Sequence, residues 1–354
     1  MMNSQLILLS QPKFTKKPIR TWLIEDEQPT QSHIDLDLDP FTLHALVEYL
    51  GQQLYTSKDP SLQRKAALEL AAIGSAAVDT LVYALDQKCK TCQVMAIYAL
   101  RKIGTPVVTP ILALLDSRPA NVRQKLMWVL YSIGGDDVVE ALINHLNDSD
   151  RKVRRYAAWG LGHLKDPRAI PALVAALNDP YNKMRFDAGM ALVKIGGEAV
   201  EALLEALYNG KSRTRSQVAA ILAWLQNETA MDALIEALHD KDPHVRAQAA
   251  LALGWIGHPR GVAPLMNALY DEEPEVRMQA AVALGWIGDT RAIESLIGLI
   301  HDEDYWVPYS AADALAHLGD MSDIAPIVKA NHVYNPRVRE ASQTALRELG
   351  YLVN

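Results

Sequence analysis

A segment of about 31 residues repeats along this chain, and that periodicity constrains the fold more tightly than any other feature of the sequence. Asp242-Pro-His-Val-Arg-Ala-Gln-Ala-Ala-Leu-Ala-Leu-Gly-Trp-Ile-Gly257 and Glu273-Pro-Glu-Val-Arg-Met-Gln-Ala-Ala-Val-Ala-Leu-Gly-Trp-Ile-Gly288 match at most positions, 31 residues apart. The closing position recurs at Gly74, Gly104, Gly134, Lys165, Gly196, Gln226, Gly257, Gly288, Gly319 and Gly350. Its spacing is 30 or 31 residues throughout, which defines ten units from about residue 41 to 354. Each unit reads as two helices. The first carries apolar residues at helical spacing, as in Val200-Glu-Ala-Leu-Leu-Glu-Ala-Leu207. A turn with Asp, Asn or Pro follows, and the second helix ends at Gly, which accepts a left-handed cap at no steric cost. Lys165 and Gln226 break that rule; Asn227 is the expected left-handed residue in the second case.

No single pair can bury its own apolar face, so the pairs must stack. The expected fold is all-α, a right-handed α-solenoid of about ten 30–31-residue helix pairs over residues 41–354. Residues 1–40, with Pro12, Pro18 and Pro29, read as an extended or disordered N-terminal arm. The sequence Ile34-Asp-Leu-Asp-Leu-Asp39 alternates like a short strand, expected to lie against the first repeat.

Composition excludes several functions. A net charge of −7 and a pI of about 5.8 argue against nucleic-acid binding through a global positive field. The longest early apolar run, Leu6–Leu9, is too short for a membrane span or a signal core. Two cysteines make no secreted disulfide framework, which favours a reducing compartment and a cytoplasmic location.

The pattern Asp-x-Asp-Pro-x-Val-Arg-x-x-Ala-Ala-x-Ala-Leu-Gly-x-Ile-Gly, followed by Asp-Pro-Arg-Ala-Ile-Pro-Ala-Leu and best kept at residues 165–174, 239–265 and 270–297, resembles the short HEAT-like repeat of phycobilin lyases. Arg155-Tyr-Ala-Ala-Trp-Gly-Leu-Gly162 is similar to a segment of the E/F-type lyase subunits. The resemblance spans about nine-tenths of the chain. It implies a HEAT-type solenoid, and it brings a bilin lyase or chaperone that handles an open-chain tetrapyrrole into consideration.

Counting back from the closing residue, Val at −12, Ala at −8 and −5, Leu at −4 and Ile at −1 fall on one helix face, the expected core. Positions −10, −9, −6 and −2 lie opposite and define a groove on the concave side. That arc holds Tyr98, Trp128 and Trp159 at −6, and Trp224, Trp255 and Trp286 at −2, with His163 and His317 in the latter column. Arg155, Tyr156, Phe186, Asp187, Met190, Lys194, Met278, Tyr309 and Asp313 share it. Five of the seven tryptophans therefore fall on one expected surface. Either the rings stiffen the groove by packing on one another, or they anchor a bound partner; the other residue types found at −2 show that the fold does not need Trp there.

Arg at −11 recurs at positions 123, 154, 185, 215, 246, 277 and 339. It is expected to reach a turn Asp (Asp148, Asp179, Asp240, Asp271, Asp302) as a ladder between repeats rather than to form an anion site. Arg155 stands outside that column as a candidate ligand contact. Pro308 replaces Arg in the ninth unit, where Tyr305, Trp306 and Tyr309 crowd one turn as a candidate partner site; a late or bent helix is expected there.

Catalytic signals are few. Cys89-Lys-Thr-Cys92 opens the second helix of the second unit, where a thiolate is stabilised. It supplies only two of the ligands a closed zinc site needs, so the pair reads as structural, with metal or iron–sulfur bridging and redox chemistry as alternatives. The chain has no His-Glu dipeptide, against the di-iron hydroxylase found among HEAT-type solenoids. No phosphate-cradling loop is present. The sequence thus favours a non-catalytic scaffold binding a protein segment, without cofactor. The alternatives are a bilin lyase, with a phycobiliprotein subunit as partner and bilin as ligand held by Arg155, Lys194 and His163, and an assembly adaptor acting through Cys89 and Cys92.

Overall fold

The computed structural model describes residues 38–226, 228–304 and 306–318, together with the helical positions 339, 343 and 347. The expected N-terminal arm, Asn227, Tyr305 and most of the tenth unit lie outside the described residues.

Every described unit is a helix pair. The first helices are α1 (Pro40–Thr56), α3 (Val78–Asp86), α5 (Val108–Leu115), α7 (Asp136–His145), α9 (Ile170–Ala176), α11 (Val200–Asn209), α13 (Met231–Ala237), α15 (Val262–Ala268) and α17 (Ile293–Leu299). The second helices are α2 (Pro60–Ile73), α4 (Lys90–Ile103), α6 (Ala120–Ile133), α8 (Arg151–Leu164), α10 (Asn182–Ile195), α12 (Ser212–Leu225), α14 (Pro243–Ile256), α16 (Pro274–Ile287) and α18 (Trp306–Leu318). Asp39, Asp59 and Asp242 cap helices whose first residue is proline, each accepting a backbone N–H of the first turn. Asp39 thus serves as the cap of α1 rather than the end of a strand.

The core is the face read from the repeat. Val122, Val153, Val245, Val276 and Val307 are fully buried, as is the Leu series from Leu100 through Leu284 at −4. Burying a side chain of this size stabilises by roughly 2 kcal/mol before entropy is counted. The apolar stretch Pro60–Asp86 has the length and hydropathy of a membrane span. It is broken at Gly74 (φ 85°, ψ −139°), and its two halves, α2 and α3, bury their apolar residues in this core.

Small residues let successive second helices touch. A Cβ on Gly254 would lie 2.5 Å from Cα and Cβ of Ala283, and one on Gly285 would lie 2.9 Å from Cα of Ala314. The same glycine position of α8, Gly162, faces Ala191. Second helices also contact one another more extensively than first helices do.

The two exceptions to the glycine rule are left-handed themselves. Lys165 (φ 55°, ψ 32°) and Gln226 (φ 47°, ψ 39°) take the cap position directly, so Asn227 is not required for it. Gly104 and Gly196 instead combine positive φ with ψ −142°, a region only glycine enters readily. Pro308 sits buried in the first turn of α18, where its missing N–H costs no helical hydrogen bond.

Candidate functional site

The guanidinium–carboxylate ladder fixes the frame on which the groove side chains stand. Arg123, Arg154, Arg215, Arg246 and Arg277 each grip the Asp 25 positions later, Asp148, Asp179, Asp240, Asp271 and Asp302, through Nε and Nη2 at 2.6–3.2 Å. Burial is the largest influence and opposes ionisation of Asp148, Asp240 and Asp302, but the bonds donated by Arg123, Arg215 and Arg277, a backbone N–H bond and the arginine charge together outweigh it and hold these carboxyls below their ordinary value. This is the structural ladder expected from the sequence. Arg339 is exposed.

Arg155 and Asp187 are paired with each other, Nε to Oδ2 at 2.5 Å, across α8 and α10. Arg155, the candidate ligand contact, and Asp187, in the same arc, thus bridge two successive second helices. Burial pushes the Asp187 carboxyl above its ordinary value despite Arg155.

Beside this pair lies an aromatic cluster. Tyr131 of α6 meets the Trp159 ring edge-on at 4.8 Å and stacks with His163 at 5.5 Å, and Trp159 meets His163 at 4.3 Å. Lys194 of α10 sits 5.8 Å from the Trp159 ring centroid. Burial, then the Lys194 charge, lowers the His163 pKa, so the imidazole is neutral at pH 7. Burial raises Tyr131 to about 12. Tyr131 was not among the sequence candidates because it falls at −3, between the two arcs. Its signal is Gly160, which occupies a column where Ala prevails and leaves room for the ring.

A second aromatic run follows. Trp224 and Trp255 lie 6.2 Å apart with planes 24° from parallel, and Trp255 meets Trp286 at 6.0 Å and 79°. Trp224 and Trp255 are half-buried, whereas Trp286 is 41% exposed. Both sequence readings therefore describe part of the geometry: the rings pack on one another, and together they still present a continuous indole surface.

The remaining candidates are separate. Trp128 takes the Arg101 guanidinium at 5.8 Å, Tyr98 is half-buried, and Tyr156 is exposed. Asp313 and His317 lie one turn apart on α18, with His317 Nδ1 2.8 Å from the Asp313 carbonyl. Trp306 and Tyr309 form an edge-on pair at 6.2 Å, both exposed. On the first-helix side, a cleft of about 430 Å³ is lined by Leu112, Asp116, Asp137, Glu140, His145 and Asp148.

Cys89 and Cys92 are joined in a disulfide, so neither is a free thiol or a thiolate available to a metal. Cys92 is fully buried, and Gln63 Nε2 lies 3.5 Å and 3.4 Å from the two sulfurs while donating to the Ser57 carbonyl at 2.8 Å. Gln63 occupies the −11 column of the first unit, and Cys89 takes the N-cap position of α4, where Asp150 and Asp242 cap α8 and α14. Among the described residues no group of three or more His, Cys, Asp or Glu is arranged to hold a metal ion.

Comparison with known proteins agrees with this architecture. The family model for HEAT repeats matches residues 47–131, 139–217, 200–272 and 262–347, and the model for the PBS lyase HEAT-like repeat matches residues 122–148. No curated protein matches. Among solved structures, Kap121p bound to the extreme C-terminus of the protein phosphatase Cdc14p is similar at TM-score 0.62 and 13% identity, covering 90% of this chain and 42% of that one. Kap95p, from a complex with RanGDP, gives TM-score 0.54 at 13% identity, covering 86% of this chain and 52% of Kap95p. Human deoxyhypusine hydroxylase is 26% identical over 70% of this chain and 97% of its own, at TM-score 0.29. The chain thus spans about half or less of the length of Kap121p and Kap95p. They show a common fold.

Proposed function

We propose, from the premise that this chain belongs to the HEAT-repeat family, that it is a non-catalytic scaffold gripping a protein segment along the inner face of its second helices. The observation that carries this reading is the continuous indole surface of Trp224, Trp255 and Trp286, of which Trp286 is the most exposed. Rigid aromatic side chains lose little entropy on binding and anchor interfaces for that reason. Solenoids of similar fold, such as Kap121p with the Cdc14p C-terminus, bind protein segments. The test is affinity capture with the wild-type chain and a Trp255→Ala/Trp286→Ala variant of equal helicity. A protein retained by the first and lost by the second supports the groove; identical retention removes it.

A second reading rests on the PBS lyase HEAT-like match at residues 122–148, which ends just before the cluster of Tyr131, Trp159, His163 and Lys194 is completed by α8 and α10. A neutral imidazole, an ammonium group and two aromatic faces suit a tetrapyrrole with propionates. On this reading an acceptor phycobiliprotein subunit supplies the thiol, and the chain orients and protects the chromophore. Titration with phycocyanobilin separates the two readings. A saturable red-shifted band with Trp quenching, lost in Trp159→Ala, selects the bilin; a flat titration leaves the protein scaffold.

A further inference from the structure

One rung of the ladder has no carboxylate. Position 210 stands 25 residues after Arg185, as Asp148, Asp179, Asp240, Asp271 and Asp302 stand after their arginines, but it is glycine. Arg185 is nevertheless anchored as the others are. Its Nη1 donates to the carbonyls of Asp179 at 2.9 Å and Pro180 at 3.3 Å, matching Arg154 on Asp148 and Ser149 and Arg277 on Asp271 and Glu272. The Nε that takes the Asp oxygen elsewhere is here buried with no hydrogen-bond partner. Among the described residues no carboxylate lies within ion-pair distance of Arg185. Burial, then the positive charge of nearby Arg213, lowers the Arg185 pKa against the opposing charge of Asp179, which is itself paired with Arg154; the shift is opposite to that at Arg123, Arg215, Arg246 and Arg277.

The chain cannot readily close this rung from position 210. A Cβ there would meet the Ala206 carbonyl oxygen at 2.4 Å, and the Gly210 carbonyl already accepts Arg215 Nη1 at 2.8 Å. The geometry points to Arg185, backed by Arg213, as a receptor for a carboxylate from outside the chain, seated as the Asp side chains are on the other rungs. A guanidinium fork with fixed orientation favours a planar two-oxygen acceptor. An acidic side chain of a protein partner and a small organic acid share this chemistry. The site is independent of the aromatic groove and stands whichever reading of that groove holds.

Arginine Nε–Hε resonances of the intact ¹⁵N-labelled chain test it directly. Arg185→Gln is the control, because Gln63 and Gln93 in the same column keep the contact to the carbonyl six residues back. At constant ionic strength, acetate should shift one Nε–Hε resonance, missing in Arg185→Gln, with saturation in the millimolar range, while the five ladder resonances stay in place. A capped hexapeptide rich in Glu is the second arm. Tighter binding than acetate by tenfold or more assigns the site to protein partners, and equal binding assigns it to small acids. No shift with either probe overturns the proposal, as does an equal shift with chloride, which would mark an unselective cationic patch.

Discussion

The ring of Tyr131 lies against the backbone of Gly160: a Cβ on that glycine would sit 2.9 Å from Tyr131 Cβ and 3.4 Å from Cγ. The glycine is thus part of the aromatic cluster without contributing an atom to its surface. It is what allows Tyr131 to reach Trp159 and His163.

Gly160→Ala should therefore push the Tyr131 ring outward and cost about 1–3 kcal/mol through overpacking. Urea unfolding followed by Trp159 emission reads both effects. The Tyr131→Ala/Gly160→Ala pair should not recover the loss, since alanine keeps the Cβ that stands 2.9 Å from the added methyl group.

The ladder predicts an acid transition. Asp148, Asp240 and Asp302 have folded pKa values below 3.8, so their stabilisation is complete above that value and is lost as pH falls through the folded pKa values. Tm should hold steady above the ordinary carboxylate range and drop beneath it. Asp240→Asn should flatten that drop and cost about 3 kcal/mol at pH 7, because it strands Arg215, whose side chain is 9% exposed.

Asp187 should behave with the opposite sign. Its folded pKa is raised, so the native state takes up this proton before the unfolded chain does. Relative to Asp187→Asn, the wild-type chain should gain stability as pH falls through the folded pKa toward 3.8, and the gain should level off below it. Paired melting curves of the two proteins across that range check the sign.

The helix ends divide into two classes. Lys165→Gly and Gln226→Gly should each stabilise by about 1 kcal/mol, the cost of a left-handed non-glycine residue. Gly104→Ala, at ψ −142°, should destabilise more than Gly257→Ala, at ψ 15°. Chemical denaturation of the four variants ranks them.

The periodicity made the helix pairs, the core columns and the ladder legible, because each is a rule applied at fixed spacing. It could not show how neighbours in the groove meet. Arg155 and Asp187 stand 32 residues apart, close to one period, yet whether they pair or wait for a ligand depends on rotamers and burial. Tyr131 and Gln63 escaped notice for a related reason: each departs from its column, and only the contact with Gly160 or with Cys89–Cys92 gives the departure a meaning. The left-handed backbone at Lys165 and Gln226 was hidden because the ψ angle that admits a side chain there cannot be read from residue identity.

The open rung at Arg185 also has a mechanical consequence. In a stack where each repeat holds only its neighbours, strength is set at individual seams. Successive second helices from α12 to α18 are closely joined, whereas α10 and α12, like α4 and α6, touch less and lack an arginine–aspartate rung. Pulled from its two ends, the solenoid should part first at one of these two seams, between the second and third or the fifth and sixth units, and separate as stiff blocks, so that an unstitched seam, rather than any flexible linker, serves as the fracture line of the array.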